Sequence, residues 1–258
     1  MTYKWLIKLL SNIPGASTVT SLLYRRGINR NAFDILDLKF SSPIGIGSGI
    51  DPNGESLKLL SSTGVGFCTI GPVSPANVRT CISRLMSVRK KSKCLTAAAI
   101  SSNSKSIDDE QIISDFLYTF SLAYDFADLF FLDFTAGNMD PVLVRSVISS
   151  VMEARATYEE YKPIIIDTGK DLDTDELESM LDFCRMNGAD AIAVWGSRYV
   201  ELASQKSEGR YPIAGHGNIH NAEDARRMLK NGASLVILRD EILRDGLGFP
   251  HKIISNLK

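Results

Sequence analysis

Residues 211–238, YPIAGHGNIHNAEDARRMLKNGASLVIL, decide the fold. A short apolar run at 212–214 precedes a helical pattern that begins after Asn221, a favoured N-cap residue, and stops at Gly232. A second apolar run follows directly at 235–238. Parallel strands cannot be joined by a tight turn and need a crossover of this kind. The stretch therefore predicts a strand–turn–helix–strand unit of a parallel sheet.

The turn of this unit carries a Gly-X-Gly sequence at Gly215 and Gly217, followed by Asn218. Glycines beside a helix start leave backbone N–H groups free to hold an anion. The turn is therefore a candidate phosphate site.

Apolar runs of strand length recur along the chain, and helical patterns separate most of them. The runs lie at 44–48, 66–70, 95–100, 129–134, 163–167, 191–194, 212–216 and 235–238. This alternation predicts a (β/α)8 TIM barrel, an α/β fold, over residues 29–258, with a short helical N-terminal cap at 1–28. The segments after the second and sixth runs show no convincing full helix.

Length and composition are those of a soluble globular protein. The chain has 258 residues, 44% hydrophobic and 23% charged, with a formal net charge of −1. This balance gives no indication of a nucleic-acid surface. The four cysteines lack metal-ligand spacing, which predicts free thiols in a reducing, cytoplasmic compartment and no metal site. The oligomeric state has no signature in the sequence.

The opening residues, MTYKWLIKLL, are too short and too interrupted by lysine for a membrane span or a signal peptide. Trp5, Leu6, Leu9 and Leu10 share one helical face. Two interpretations remain open. Residues 1–28 form either a cap on the barrel or a peripheral contact with the inner face of a membrane.

Chemistry in such a barrel belongs at the C-terminal ends of the strands. Asp133 and Asp167 end neighbouring apolar runs. They are candidates for an acid/base pair or for oxygen ligands of a metal. The alternative is a pair of solvated or salt-bridged carboxylates, with partner charges from Arg79, Arg84 or Arg198.

Other side chains at the strand ends have simpler interpretations. His216 is expected to be hydrogen-bonded rather than catalytic, and His220 is expected at the surface. Trp195 ends the sixth run and is a candidate for filling space at the barrel mouth. The glycines of GIGSGIDPNG, residues 45–54, have the wrong spacing for a dinucleotide loop and favour close approach of a flat ligand.

Three more stretches occur in order with the opening one: SSPIGIGSGIDPNGESLKLLSSTGVGFCTIGPVSP, LFFLDFTAGN and KPIIIDTGKDLDTDEL. In these motifs the chain resembles the dihydroorotate dehydrogenases, especially the quinone-linked class. The resemblance implies FMN and the oxidation of dihydroorotate to orotate in pyrimidine biosynthesis, with a small-molecule ligand at the C-terminal barrel mouth. It implies a flavin site at Gly47, Ser48, Gly49, Asn138, Gly215, Gly217, Asn218 and Arg239.

The same resemblance places unsuitable residues at the reacting positions. The family's serine base falls on Ala136, whose methyl group cannot accept a proton. The lysine beside the flavin falls on Asp167, whose carboxylate would oppose the charge of the reduced ring. Asp240 and Glu241 would crowd a phosphate and more simply cap the helix that follows them. Further replacements fall on Pro52, Pro72, Ala98 and Gly196.

Three functional interpretations follow. The favoured one is a degenerate relative, a pseudoenzyme that lacks the dehydrogenase reaction and serves as a binding, regulatory or structural protein. The alternative is an active, divergent FMN-dependent oxidoreductase acting on dihydroorotate or a related small molecule. The third is a different small-molecule enzyme that uses Asp133 and Asp167.

Overall fold

A computed structural model shows a closed barrel of parallel strands, and it describes residues 3–24, 32–89, 94–103, 108–135, 139–169 and 172–257. The strands are β1 (Phe33–Ile35), β2 (Leu38–Phe40), β3 (Ile44–Ile46), β4 (Phe67–Val73), β5 (Leu95–Ile100), β6 (Leu129–Asp133), β7 (Ile164–Asp167), β8 (Ala191–Trp195), β9 (Ile213–His216) and β10 (Leu235–Leu238). Strands β3 to β10 pair in chain order, and β10 pairs with β3 to close the ring. The predicted (β/α)8 TIM barrel is confirmed, and residues 211–238 hold its last two strands.

Helices alternate with the barrel strands. They are α1 (Lys4–Ser11), α2 (Ala16–Tyr24), α3 (Leu57–Leu60), α4 (Val78–Arg89), α5 (Asp109–Ala123), α6 (Pro141–Arg155), α7 (Thr174–Met186), α8 (Ser197–Lys206), α9 (Ala222–Lys230), α10 (Asp240–Asp245) and α11 (Phe249–Ser255). Local signals fix several starts. Asn221 accepts the N–H groups of Glu223 and Asp224 and so caps α9, as predicted. Asp140 caps α6, whose first residue is Pro141.

The expectation of no full helix after the second and sixth barrel strands is wrong. Helix α4 has 12 residues and α8 has 10. Helix α4 buries Val78, Leu85 and Val88 at helical spacing, but the arginines and serines between them dilute the apolar pattern. The helix after the first barrel strand, α3, has only 4 residues and continues directly into a 3-10 turn (Ser61–Thr63).

The side chains that point into the barrel form an apolar core with a polar layer at one end. The apolar core includes Phe67, Ala97, Phe131, Ile165 and Ile237. At the C-terminal ends of the strands the inward positions are instead Asp133, Asp167, His216 and Arg239, because side chains alternate along each strand. The polar level therefore lies at the end where barrel enzymes place their sites, here called the mouth.

The hairpin of β1 and β2 closes the opposite end of the barrel. Phe40 is fully buried and meets the ring of Phe67 edge-on, with ring centroids 5.9 Å apart. Phe33 stacks on Phe40 from outside. The hairpin thus seals the N-terminal end and leaves the mouth to the loops that follow the strands.

Helices α1 and α2 pack beside α3. Ile7 is buried, and the N–H of Tyr3 donates to the carbonyl of Leu243 at 2.7 Å. On the predicted apolar face of α1, Trp5 and Leu9 are 58% and 53% exposed, whereas Leu6 is half-buried and Leu10 packs against the core. Within the described residues, none of the helices has the length and hydropathy needed to cross a bilayer.

Candidate functional site at the barrel mouth

An ion pair crosses the centre of the mouth. Asp167 ends β7 and is 1% exposed, and the guanidinium of Arg239, after β10, donates to its Oδ2. The Arg239 side chain passes over Gly47, where an added Cβ would lie 2.9 Å from it. Burying a carboxylate without a partner is costly, so this crossing stabilises Asp167 in its charged form. The partner charges predicted for it were wrong, because Arg79, Arg84 and Arg198 are all exposed.

Asp133 is held by neutral donors. Its Oδ2 accepts the Ser48 hydroxyl at 2.7 Å, and its Oδ1 accepts the N–H and the hydroxyl of Thr135 at 3.0 and 2.5 Å. Asp133 is also the direct neighbour of Asp167 across β6 and β7. Both carboxylates are buried, so the expectation of solvated groups is wrong, while that of a salt bridge holds for Asp167. No group of three metal-ligating side chains occurs among the described residues.

His216 lies fully buried beside this pair. Its Nε2 is 3.6 Å from Oδ1 of Asp167, too far for a hydrogen bond, and neither ring nitrogen has a hydrogen-bond partner among the described residues. The prediction of a hydrogen-bonded histidine is therefore wrong. Burial and the nearby charge of Arg239 hold the pKa of His216 well below its ordinary value, so the ring is neutral. A neutral imidazole offers one donor and one acceptor nitrogen.

Directly after the predicted phosphate turn, between the loops that follow β9 and β10, a carboxylate of the chain itself accepts two backbone N–H groups. Glu241 is 6% exposed and accepts the N–H of Arg239 at 2.8 Å and the N–H of Ile219 at 3.3 Å. Arg239 is the N-cap residue of α10 and makes no side-chain cap bond, so the expected cap is seen only as the bond from its N–H to Glu241, which with the bond from Ile219 ties the start of α10 to the neighbouring loop. Asn218 is exposed and has a positive φ of 56°, as such a turn requires.

The glycines of this turn serve packing. A Cβ on Gly215 would meet Val200 at 2.9 Å, so its smallness admits the outer helix. A Cβ on Gly217 would lie 2.6 Å from the indole of Trp195. Trp195 also meets His216 edge-on, with centroids 5.4 Å apart. Its ring therefore lies at the mouth, where the sequence placed it.

A cavity of about 850 Å³ opens beside the ion pair and is lined by residues of α6, α7 and the loops after β6, β7, β8 and β10. We call it the mouth cavity. Its apolar lining includes Phe134, Met139, Val144, Leu172, Met180 and Trp195. Its polar lining includes Arg145, Asp175, Glu176, His216, Arg239 and Asp240. This volume suits a small organic ligand.

The remaining predicted site residues lie apart from the cavity or outside the described part. Ser48 is committed to Asp133. The N–H of Gly49 donates to the carbonyl of Gly71 at 2.8 Å, which ties the loops after β3 and β4 together. Ala136 and Asn138 lie outside the described residues. His220 is exposed, as predicted.

Sequence reasoning missed the two contacts that define the mouth. It placed Arg239 in a phosphate site and Asp167 beside a flavin, but it did not pair them. It also assigned Glu241 to its own helix without the bond to Ile219. The sequence did contain a signal for the contact between Arg239 and Asp167, because residues of opposite charge stand at inward-facing positions at the ends of two strands of the same barrel.

Comparison with known proteins supports the same fold. No protein-family model matches the chain. A dihydroorotate dehydrogenase (quinone) from Idiomarina loihiensis is 23% identical over 305 aligned residues, covering 93% of this chain and 91% of that protein. One from Christiangramia forsetii is also 23% identical and covers 95% of this chain and 89% of its own length.

Solved structures show the same fold. The ligand-free dihydroorotate dehydrogenase of Eimeria tenella superposes with a TM-score of 0.79 at 16% identity, covering 96% of this chain and 93% of that one. Its complex with ferulenol gives a TM-score of 0.76 at 17% identity. The chain therefore resembles the quinone-linked dihydroorotate dehydrogenases over nearly its whole length and shares their barrel fold.

Proposed function

We propose that this dihydroorotate dehydrogenase-like chain has lost the flavin-dependent reaction and uses the mouth cavity to bind a small molecule. The observation that carries the proposal is the Glu241 carboxylate on the N–H groups of Ile219 and Arg239. It is supported by the residues that a bound FMN would have to meet at each end.

At the phosphate end, FMN does not fit. Barrels of this type hold phosphate on the loops after the last two strands, where N–H groups and a helix start face the anion. Here Glu241 already accepts two of those N–H groups, and Asp240 stands beside it. A phosphate dianion would meet like charge in place of donors. Arg239 offers no compensation, because its guanidinium is committed to Asp167.

At the ring end, the part of the mouth above Gly47 is also occupied. The Arg239 side chain lies over Gly47, across the surface where a flat ring system would rest. Ser48 and Thr135 both donate to Asp133, so those hydroxyls are not turned toward a ligand. Asp133 and Asp167 are likewise satisfied internally. This argues against the third interpretation, in which they act as an acid/base pair.

The test uses the purified protein and the Idiomarina loihiensis relative in parallel. We expect this chain to be colourless, to take up no added FMN, and to give no dihydroorotate-dependent reduction of a quinone. The parallel relative establishes that the assay works. A yellow protein whose flavin is bleached by dihydroorotate would overturn the proposal and favour the alternative of an active FMN-dependent oxidoreductase.

A second proposal concerns the N-terminal helices. Trp5 and Leu9 of α1 and Val19, Leu22 and Leu23 of α2 are each more than half exposed. Exposed apolar side chains on a helix that also carries lysines are typical of peripheral membrane binding. We propose that residues 1–28 attach the barrel to a membrane surface. Membrane binding that survives deletion of residues 1–28 would refute this.

A further inference from the structure

We propose that the mouth cavity takes a flat aromatic cation, such as a protonated or alkylated nitrogen heterocycle. The inference rests on the proposed function, because a bound flavin would compete for the same mouth. Its basis is the combination of shape, charge and the unpartnered ring nitrogens of His216.

The shape of the mouth cavity favours a flat ring system. Trp195 presents its indole at one wall, and Phe134, which stacks on Phe116, lies at another. Met139 and Met180 add polarizable, adaptable surface. Aromatic walls of this kind bind flat rings by offset or edge contacts, and Trp is the strongest partner for a cation.

The charge of the mouth cavity favours a cation. Among the described lining residues, the carboxylates are Asp175, Glu176 and Asp240, and the guanidiniums are Arg145 and Arg239. Asp167 already neutralises Arg239, so the carboxylates outnumber the remaining guanidinium. In the stretches 136–138 and 170–171, next to the cavity in sequence, formal charges cancel or are absent. An anion such as a carboxylate or phosphate would therefore be repelled.

His216 supplies the observation that is independent of the acidic cluster. It lines the mouth cavity, it is fully buried, and neither of its ring nitrogens has a hydrogen-bond partner among the described residues. Buried polar atoms in native proteins are nearly always satisfied, so an unpartnered pair indicates a missing ligand group. A neutral imidazole can accept a hydrogen bond from the N–H of a charged heterocycle. A protonated imidazole could not, because both of its nitrogens are donors.

The test compares three probes of one shape, read by the fluorescence anisotropy of the probe. At neutral pH, 9-aminoacridine is a cation, acridine is uncharged and acridine-9-carboxylate is an anion. We expect 9-aminoacridine to bind at least about tenfold more tightly than acridine-9-carboxylate, with acridine between them. Equal affinities, tighter binding of the anion, or no saturable binding of the cation would overturn the proposal.

Variants locate the site. Asp175→Asn with Asp240→Asn should weaken 9-aminoacridine by about tenfold and change acridine by less than about twofold. Asp109→Asn is the matched control, because Asp109 is also a first-turn acid of a helix but does not line the cavity. Trp195→Ala should weaken both 9-aminoacridine and acridine, whereas Trp5→Ala on α1 should weaken neither. Loss of cation binding in Asp109→Asn, or its survival in the double variant, would contradict the assignment.

The two proposals fail in different ways. Uptake of FMN with dihydroorotate-dependent bleaching refutes the proposed loss of function, whatever the acridines do. A colourless protein that prefers the anionic acridine leaves the loss of function standing and refutes the cation site.

Discussion

Replacing Arg239 by methionine should convert the ion pair at the mouth into a buried, unpaired carboxylate. Methionine has a similar length and keeps the apolar contact with Gly47, so the main change is the loss of charge. Asp167 is 1% exposed, and among the described residues it would retain only the long N–H bond from Gly169, at 3.3 Å. Breaking a buried ion pair from one side typically costs about 3–5 kcal/mol.

We therefore expect Arg239→Met to lose about 3–5 kcal/mol of unfolding free energy at pH 7. Urea denaturation at pH 7, with Arg198→Met as an exposed control, measures the cost. The double variant Asp167→Asn, Arg239→Met should recover about 2 kcal/mol. Strictly additive single changes would refute the ion pair.

Three further predictions address other parts of the molecule. Burial raises the pKa of Asp51 to about 6, so the folded state binds an extra proton and the free energy of unfolding falls as pH rises from about 4 to 6. In urea denaturation, Asp51→Asn should abolish up to about 3 kcal/mol of that fall. An unchanged slope of unfolding free energy against pH would contradict this prediction. Glu241→Ala should cost about 1–3 kcal/mol of unfolding free energy and leave the N–H groups of Ile219 and Arg239 free. Inorganic phosphate should then raise the melting temperature of the variant and not that of the wild type. Equal shifts of melting temperature would argue against occupation of these N–H groups by Glu241. Trp5→Ser with Leu9→Ser should reduce sedimentation with anionic vesicles, whereas Met186→Ser, which removes another exposed apolar side chain, should not.

The barrel could be predicted from the sequence because its strands are buried on both faces and read as continuous apolar runs. The runs at 95–100 and 235–238 match β5 and β10 residue for residue. Helix α4 was missed because its exposed face alternates closely with its buried one, and short windows then show no clear stripe. The starts of α6 and α9 followed local capping rules, which act within four residues and need no tertiary information.

The positions of the candidate site residues could be predicted from the sequence, but the contacts between them could not. Four side chains lie at one level of the barrel because each stands at the C-terminal end of a strand, where side-chain alternation fixes which positions point inward. These are Asp133, Asp167, His216 and Arg239. Which of them bond to each other depends on closure of the ring. Arg239 and Asp167 are 72 residues apart, and Glu241 and Ile219 are 22 apart. Periodicity contains no information about such crossings, so the bond between Glu241 and Ile219 became visible only with the fold.

The most direct test of an occupied mouth is a crystal structure of the protein grown in excess FMN. We expect density for Arg239 across Gly47 onto Asp167, and for Glu241 on the N–H groups of Ile219 and Arg239, with no isoalloxazine above them. A flavin ring over Gly47, with its phosphate on the N–H group of Ile219 and Glu241 displaced, would contradict the occupation of these two positions by Arg239 and Glu241.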